Sequence, residues 1–236
     1  MLPKHFKTNG MKKILFAIAL NIFFTSAFAQ KISKISLTQA GDLESMFLLL
    51  DDNVTVSFTK DGSIAAWGVE VYSDRITNYS RLENYPGRVD YYTNYDNEAF
   101  RGKVKFIGRT SITYYGTYDK EEYRGKIKTI GSANFEYYSA LDDEAVRGKL
   151  KNIGSSTVTW YTSFDNEAYK GKLKSIGATN IVYYGSFEDK AIRGKLKSID
   201  RNTFVYYTSN DKTEYKGLLK TGNQFQTING IKYYVR

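Results

Sequence analysis

The chain has 236 residues with 34 basic against 25 acidic side chains, no cysteine and a single histidine, His5. Without cysteine there are no disulfides and no thiolate chemistry. With the lone imidazole at the extreme N-terminus, the usual nucleophile–base pairs and transition-metal ligands are missing from the rest of the chain.

Met11, Lys12 and Lys13 open a positive segment, Ile14 to Phe24 is apolar apart from Asn21, and small residues stand at Ala27 and Ala29. This order predicts a secretory signal peptide over residues 1–29, starting at Met11 and cleaved after Ala29. The apolar run falls short of the roughly 20 residues that span a bilayer. No later segment reads as a membrane-spanning helix. Cleavage removes Lys4, Lys7, Lys12 and Lys13, leaving 30 basic and 25 acidic residues, a net +5 in place of +9. Much of the basicity therefore belongs to the leader, which argues against a nucleic-acid partner. The expected location is the periplasm, the cell surface or the extracellular space, where the available polyanions are glycans and lipid phosphates.

Residues 30–90 read as a divergent N-terminal cap. Val54 to Phe58 and Ser63 to Trp67 flank an Asp61-Gly62 hairpin turn, and Pro86-Gly87 marks a turn before Arg88 to Tyr92 enters the repeated part of the chain. Leu43 to Leu50 is compatible with a short helix or a strand.

Six copies of one 23-residue unit fill residues 91–222 and run on into the C-terminal segment, beginning at Tyr91, Tyr114, Tyr137, Trp160, Tyr183 and Tyr206. A fixed period of this size signals a repeat architecture. Counting each copy from its first aromatic, positions 1–6 and 10–16 alternate with period 2, are rich in aromatic and β-branched residues and lack proline, which predicts two strands per copy. Acids near positions 6–9 and Gly108, Gly131, Gly154 and Gly177 supply the turns. The predicted fold is all-β: an elongated single-layer antiparallel β-meander built from 23-residue hairpin repeats.

In that register one face is apolar. It carries the position-1 aromatics beside Val104, Ile127, Leu150, Leu173, Leu196 and Leu219, and a glycine row at position 12. It also carries Tyr95, Tyr118, Leu141, Phe164 and Phe187 beside Phe100, Tyr123, Val146, Tyr169 and Ile192. The other face sets Tyr92, Tyr115, Tyr138, Tyr161, Tyr184 and Tyr207 among lysines and arginines. Ile107, Ile130, Ile153, Ile176 and Ile199 fall on the basic face by strict alternation, which suggests a bulge that turns them inward. A ribbon of this kind needs its apolar face covered, by residues 31–90, by curling or by a second copy. Residues 223–236, with a turn at Asn229-Gly230, read as a C-terminal cap strand.

Tyr114, Gly116, Tyr118, Gly125 and Lys126, matched by Tyr183, Gly185, Phe187, Gly194 and Lys195, give a 23-residue hairpin unit opening Tyr-x-Gly-x-aromatic with Gly-Lys at positions 12 and 13. This resembles the MORN repeat. The glycines that family carries at positions 8 and 14 are replaced here by Glu, Lys or Thr and by Val, Ile or Leu. The resemblance implies elongated antiparallel sheets that serve as scaffolds, dimerise and contact phospholipid, and it brings no catalytic residue.

The function expected from these features is a non-catalytic exported scaffold or binding protein. One candidate surface is the repeated polar face, with Tyr115, Arg124, Lys126, Tyr138, Arg147, Lys149, Tyr161, Lys172, Tyr184 and Lys195 offering aromatic faces beside cations to an anionic glycan or lipid headgroup. The other is the apolar face, for a protein partner or self-association. Two alternatives stand beside it: an outer-membrane β-barrel, prompted by the leader and the two-faced strands, and a hydrolase using turn carboxylates such as Asp142 and Glu144. The acids recur in every copy, which favours a turn role over a single catalytic pair. The Asp-Asn-Glu turns at 96–98 and 165–167 lack the alternating-oxygen spacing of a calcium loop. No cofactor, metal or catalytic residue is assigned.

Overall fold

A computed structural model describes residues 30–72 and 80–236; the signal-peptide reading of residues 1–29 lies outside the described residues. The protein is all-β, with long, mostly antiparallel sheets. The first five strands come from the N-terminal region: β1 (Ile32–Leu37), β2 (Leu43–Leu49), β3 (Val54–Phe58), β4 (Ile64–Tyr72) and β5 (Ser80–Glu83). The repeats supply β6 (Val89–Tyr91), β7 (Val104–Ile107), β8 (Thr110–Tyr114), β9 (Ile127–Ile130), β10 (Ala133–Tyr137) and β11 (Leu150–Ile153). They continue as β12 (Ser156–Trp160), β13 (Leu173–Ile176), β14 (Thr179–Tyr183), β15 (Leu196–Ile199), β16 (Asn202–Thr203), β17 (Val205–Tyr206) and β18 (Leu219–Thr221). The chain closes with β19 (Phe225–Ile228) and β20 (Ile231–Val235).

Strands β6 to β16 form one eleven-stranded sheet in chain order, the expected meander, and β17 and β18 pair separately. Each repeat strand is short, four or five residues through most of the array. Membrane-spanning strands need about 9 to 11 residues, so the strand lengths do not suit a transmembrane barrel. Nor does the sheet close, since β6 and β16 stand at its two edges.

The bulge implied by the misplaced isoleucines is present in every copy. Phe135 pairs with Ile153 and Glu136 with Asn152, then the register shifts so that Tyr137 pairs with Leu150 and Lys151 is the extra residue. The same shift recurs before Tyr91, Tyr114, Trp160, Tyr183 and Tyr206. One extra residue per strand lets Leu150 and Ile153 both point inward, and both are buried.

The terminal segments do not sit as separate end caps. Strands β19, β20, β1, β2, β3, β4 and β5 form a single seven-stranded sheet, with β20 running parallel to β1. Ile35, Leu37, Met46, Leu48, Val56, Phe58, Tyr233 and Val235 share one buried core with the inward row of the repeats. The Phe58 and Phe135 rings meet edge to face at 5.2 Å. The seven-stranded sheet thus roofs the apolar face of the meander, and of the three covers the sequence allowed, the chain's own N-terminal region supplies it, joined by the C-terminal hairpin. That face is not left open for self-association.

The roof also curls. Lys34 on β1 reaches across to Glu70 on β4 at 2.5 Å and to Ser80 at 2.9 Å, its ammonium 3.9 Å from the Phe47 ring centre. Lys34 is almost wholly buried, so this ion pair lies inside the curl.

Two turns of the roof dock it onto the repeats by the same device. Leu-Thr-Gln-Ala-Gly-Asp-Leu (37–43) and Phe-Thr-Lys-Asp-Gly-Ser-Ile (58–64) fold alike, the glycine N–H bonding back to the threonine carbonyl at 2.9 Å for Gly41 and 3.1 Å for Gly62. Gly62 lies on the Tyr137 ring and Gly41 on the Tyr183 ring, each so close that a Cβ would overlap the ring. Beside them the Lys60 carbonyl accepts the Leu150 N–H at 2.8 Å, the Gly62 carbonyl that of Ile127 at 3.2 Å, and the Gln39 carbonyl that of Leu196 at 3.2 Å.

Candidate functional site

Positions 2 to 13 of each copy, expected to be two strand arms and a tight turn, form a compact twelve-residue loop instead. In the third copy the Asp142 carboxylate accepts the Ser139 backbone N–H at 2.6 Å and its hydroxyl at 2.9 Å. Thr93 with Asp96, Thr162 with Asp165 and Thr208 with Asp211 repeat the arrangement. These side-chain bonds outcompete the strand ladder. The loop is closed at its base, where Tyr138 N–H bonds to Lys149 O and Gly148 N–H to Tyr138 O, both at 2.9 Å. Hydrogen bonds from the backbone N–H and then the side chain of residue 93, 139, 162 or 208 hold the Asp96, Asp142, Asp165 and Asp211 carboxyls below the usual range. A carboxylate so held is poorly suited to donate a proton.

The loop changes where the third apolar row stands. Tyr95, Tyr118, Leu141, Phe164 and Phe187 sit at the loop tips and are 101, 100, 96, 94 and 99 % exposed. They do not pack beside Phe100, Tyr123, Val146, Tyr169 and Ile192, which fold back against the array. The missed signal is the Ser/Thr-x-x-Asp spacing, which pulls positions 3 to 6 into a turn and forces position 5 outward.

The tyrosines expected to line a ligand surface are staples between repeats. Tyr115 OH donates to Phe135 O at 3.0 Å, Tyr138 OH to Val158 O at 3.3 Å, Tyr161 OH to Ile181 O at 3.0 Å and Tyr184 OH to Phe204 O at 2.9 Å. The position-15 lysines lie over these rings, Lys128 at 5.1 Å from the Tyr115 centre and Lys174 at 5.0 Å from that of Tyr161.

The position-13 lysines leave the polar face altogether. Lys126, Lys149 and Lys172 donate to the glycine carbonyl of the next copy, at Gly148 (2.7 Å), Gly171 (2.5 Å) and Gly194 (2.8 Å). They lie over the Tyr137, Trp160 and Tyr183 rings, and Lys195 over Tyr206 at 5.3 Å. Lys172 also donates to Ala40 O in the roof turn at 2.5 Å. Burial, helped by Lys60, pushes the Lys149 ammonium down to about 8. Of the ten residues expected to bind, Arg124 and Arg147 remain on the exposed loops, where Arg147 Nε donates to Asp142 O at 2.7 Å.

The outward surface of each copy includes its tip, with the position-5 side chain, an exposed glutamate at position 8 in the first four copies (Glu98, Glu121, Glu144, Glu167) and Arg or Lys at position 11, alongside exposed strand lysines such as Lys128, Lys151 and Lys174. A second feature is a cavity of about 390 Å³ where the roof meets the first repeat, bordered by Trp67, Tyr91, Lys103 and Tyr114. Among the described residues no cluster of three His, Cys, Asp or Glu side chains could hold a metal ion.

No family model, curated protein or solved structure matches the chain.

Proposed function

We propose that the protein is an exported, non-catalytic repeat scaffold that binds an extended glycan or an anionic lipid surface along its array, and that its repeats are related to the MORN type. The observation that carries the reading is the periodic tip surface. The repeated side chains at positions 1, 2, 6, 13 and 15 have a fold-internal partner, whereas position 5 projects into solvent in five successive copies. A surface repeated along one axis suits a ligand that itself repeats or extends, because several weak contacts then act together.

The polar face can contact anionic glycan or lipid headgroups only through what its internal pairs leave over. Lys105, Lys128 and Lys174 stand 3.9, 3.6 and 3.7 Å from Asp96, Asp119 and Asp165 of their own loops. The test is a binding screen of the protein against neutral glycans, sulfated glycans and phosphatidylglycerol vesicles at low salt. Retention of one of these, with backbone NMR shifts spread over at least three copies, supports the scaffold. A blank across all three removes it.

A further inference from the structure

We propose that the row of tip side chains at position 5 is a platform for a single, unbranched, uncharged β-1,4-linked glycan chain, an inference that rests on the scaffold reading and names its ligand class. The fold itself does not require an apolar residue there. In the sixth copy position 5 is Asn210, yet Thr208 and Asp211 make the same turn, with the same bonds of 2.6 and 2.9 Å. Five nearly fully exposed apolar side chains, Tyr95, Tyr118, Leu141, Phe164 and Phe187, are thus retained at positions where an amide serves the turn equally well. Single exposed apolar residues are ordinary, but the same position kept apolar in five successive copies along one axis points to an interaction.

The spacing selects the ligand. Two strands separate successive tips, roughly 9.6 Å at the usual strand separation. The two-sugar repeat of an extended β-1,4-linked glycan is only slightly longer, a difference that bending of the chain can take up, and its pyranose rings present apolar C–H faces that stack on aromatic rings. Ordinary sheet twist turns each tip from the last by on the order of 40°, which suits a lone chain free to twist and not the flat face of a crystalline polymer.

The charges around the tips balance. Glu98, Glu121, Glu144 and Glu167 alternate with the position-11 cations, and Lys170 lies 3.8 Å from Glu144 and 3.6 Å from Glu167. A row of acids beside the rings opposes a polyanion or an anionic membrane. Guanidinium and carboxylate groups, each able to hold two hydroxyls at once, serve neighbouring sugar hydroxyls instead.

The test titrates the protein with cello-oligosaccharides and N-acetylglucosamine oligosaccharides from dimer to octamer, followed by calorimetry. Affinity is expected to rise at least about tenfold from dimer to hexamer as further tips engage. The triple variant Tyr118→Ser, Phe164→Ser, Phe187→Ser should lose that gain. Leu141→Tyr, which fills the gap in the aromatic row, should tighten binding of the octamer. None of these side chains is packed, so the variants should keep the wild-type thermal midpoint. Failure of every neutral oligosaccharide, or equal binding by the triple variant, overturns the proposal. Binding of sulfated glycan or phosphatidylglycerol vesicles with the neutral series blank overturns it while leaving the scaffold reading standing, and silence from all three overturns both.

Discussion

Tyr115 shows how little of the repeated chemistry is left over for solvent. Its hydroxyl donates to Phe135 O at 3.0 Å in the next copy and its ring carries the Lys128 ammonium. Tyr115→Phe removes one neutral hydrogen bond and should cost about 1 kcal/mol, read as a lower urea midpoint with the array intact. The buried lysines predict a pH dependence. Lys103, Lys126, Lys149 and Lys172 are lowered from 10.5 chiefly by burial, Lys149 to about 8. Between the folded and unfolded values the unfolded chain binds more protons, so stability rises with pH above about 8. Burial raises Tyr137, Tyr161, Tyr183 and others above 10.0, so beyond that pH the unfolded chain loses protons the folded one keeps, and stability falls. Urea unfolding midpoints should therefore peak near about pH 10, and Lys149→Met should flatten the rising limb.

At the scale of elements, the bulge was legible in the sequence and the loop was not. Isoleucine at position 17 violates alternation unless one residue is inserted, and Lys151 and its equivalents are that residue. Positions 2 to 13 alternate with a period of 2, but Asp142 captures the Ser139 N–H, and local bonds of this kind defeat periodicity. Trp160, a departure from the repeat, is also explained: its indole N–H donates to Leu150 O at 2.7 Å, as Tyr183 OH does to Leu173 O at 2.8 Å. The docking turns predict unequal glycine costs. Gly62 and Gly102 have φ of +78° and +72°, yet a Cβ meets the Tyr137 ring at Gly62 and nothing within 4 Å at Gly102. Gly102→Ala should cost about 1 kcal/mol and Gly62→Ala at least about 2 kcal/mol, compared by chemical denaturation. In the roof, Glu70→Ala strands the Lys34 ammonium inside the curl and should cost about 3 to 5 kcal/mol. Glu70→Ala combined with Lys34→Met should recover much of that loss.

The whole molecule turns on one physical demand, that an eleven-stranded sheet with an apolar face be covered. The demand is readable from the tyrosine, leucine and isoleucine rows. The answer is not, because the parallel pairing of β1 with β20 joins segments nearly 200 residues apart, and nothing in local pattern announces it. The two related turns at 38–42 and 59–63 were the available clue. Once the apolar face is roofed, the array shows its surroundings the loop tips and the half-exposed lysines of the polar face. The most direct test of this arrangement is amide hydrogen exchange at Ile127, Leu150 and Leu196, whose N–H groups bond to the roof carbonyls of Gly62, Lys60 and Gln39. All three should be strongly protected, and Gly62→Ala should speed exchange at Ile127 and Leu150 while Leu196 stays slow. Rapid exchange at all three in the unaltered protein would contradict the roofed architecture.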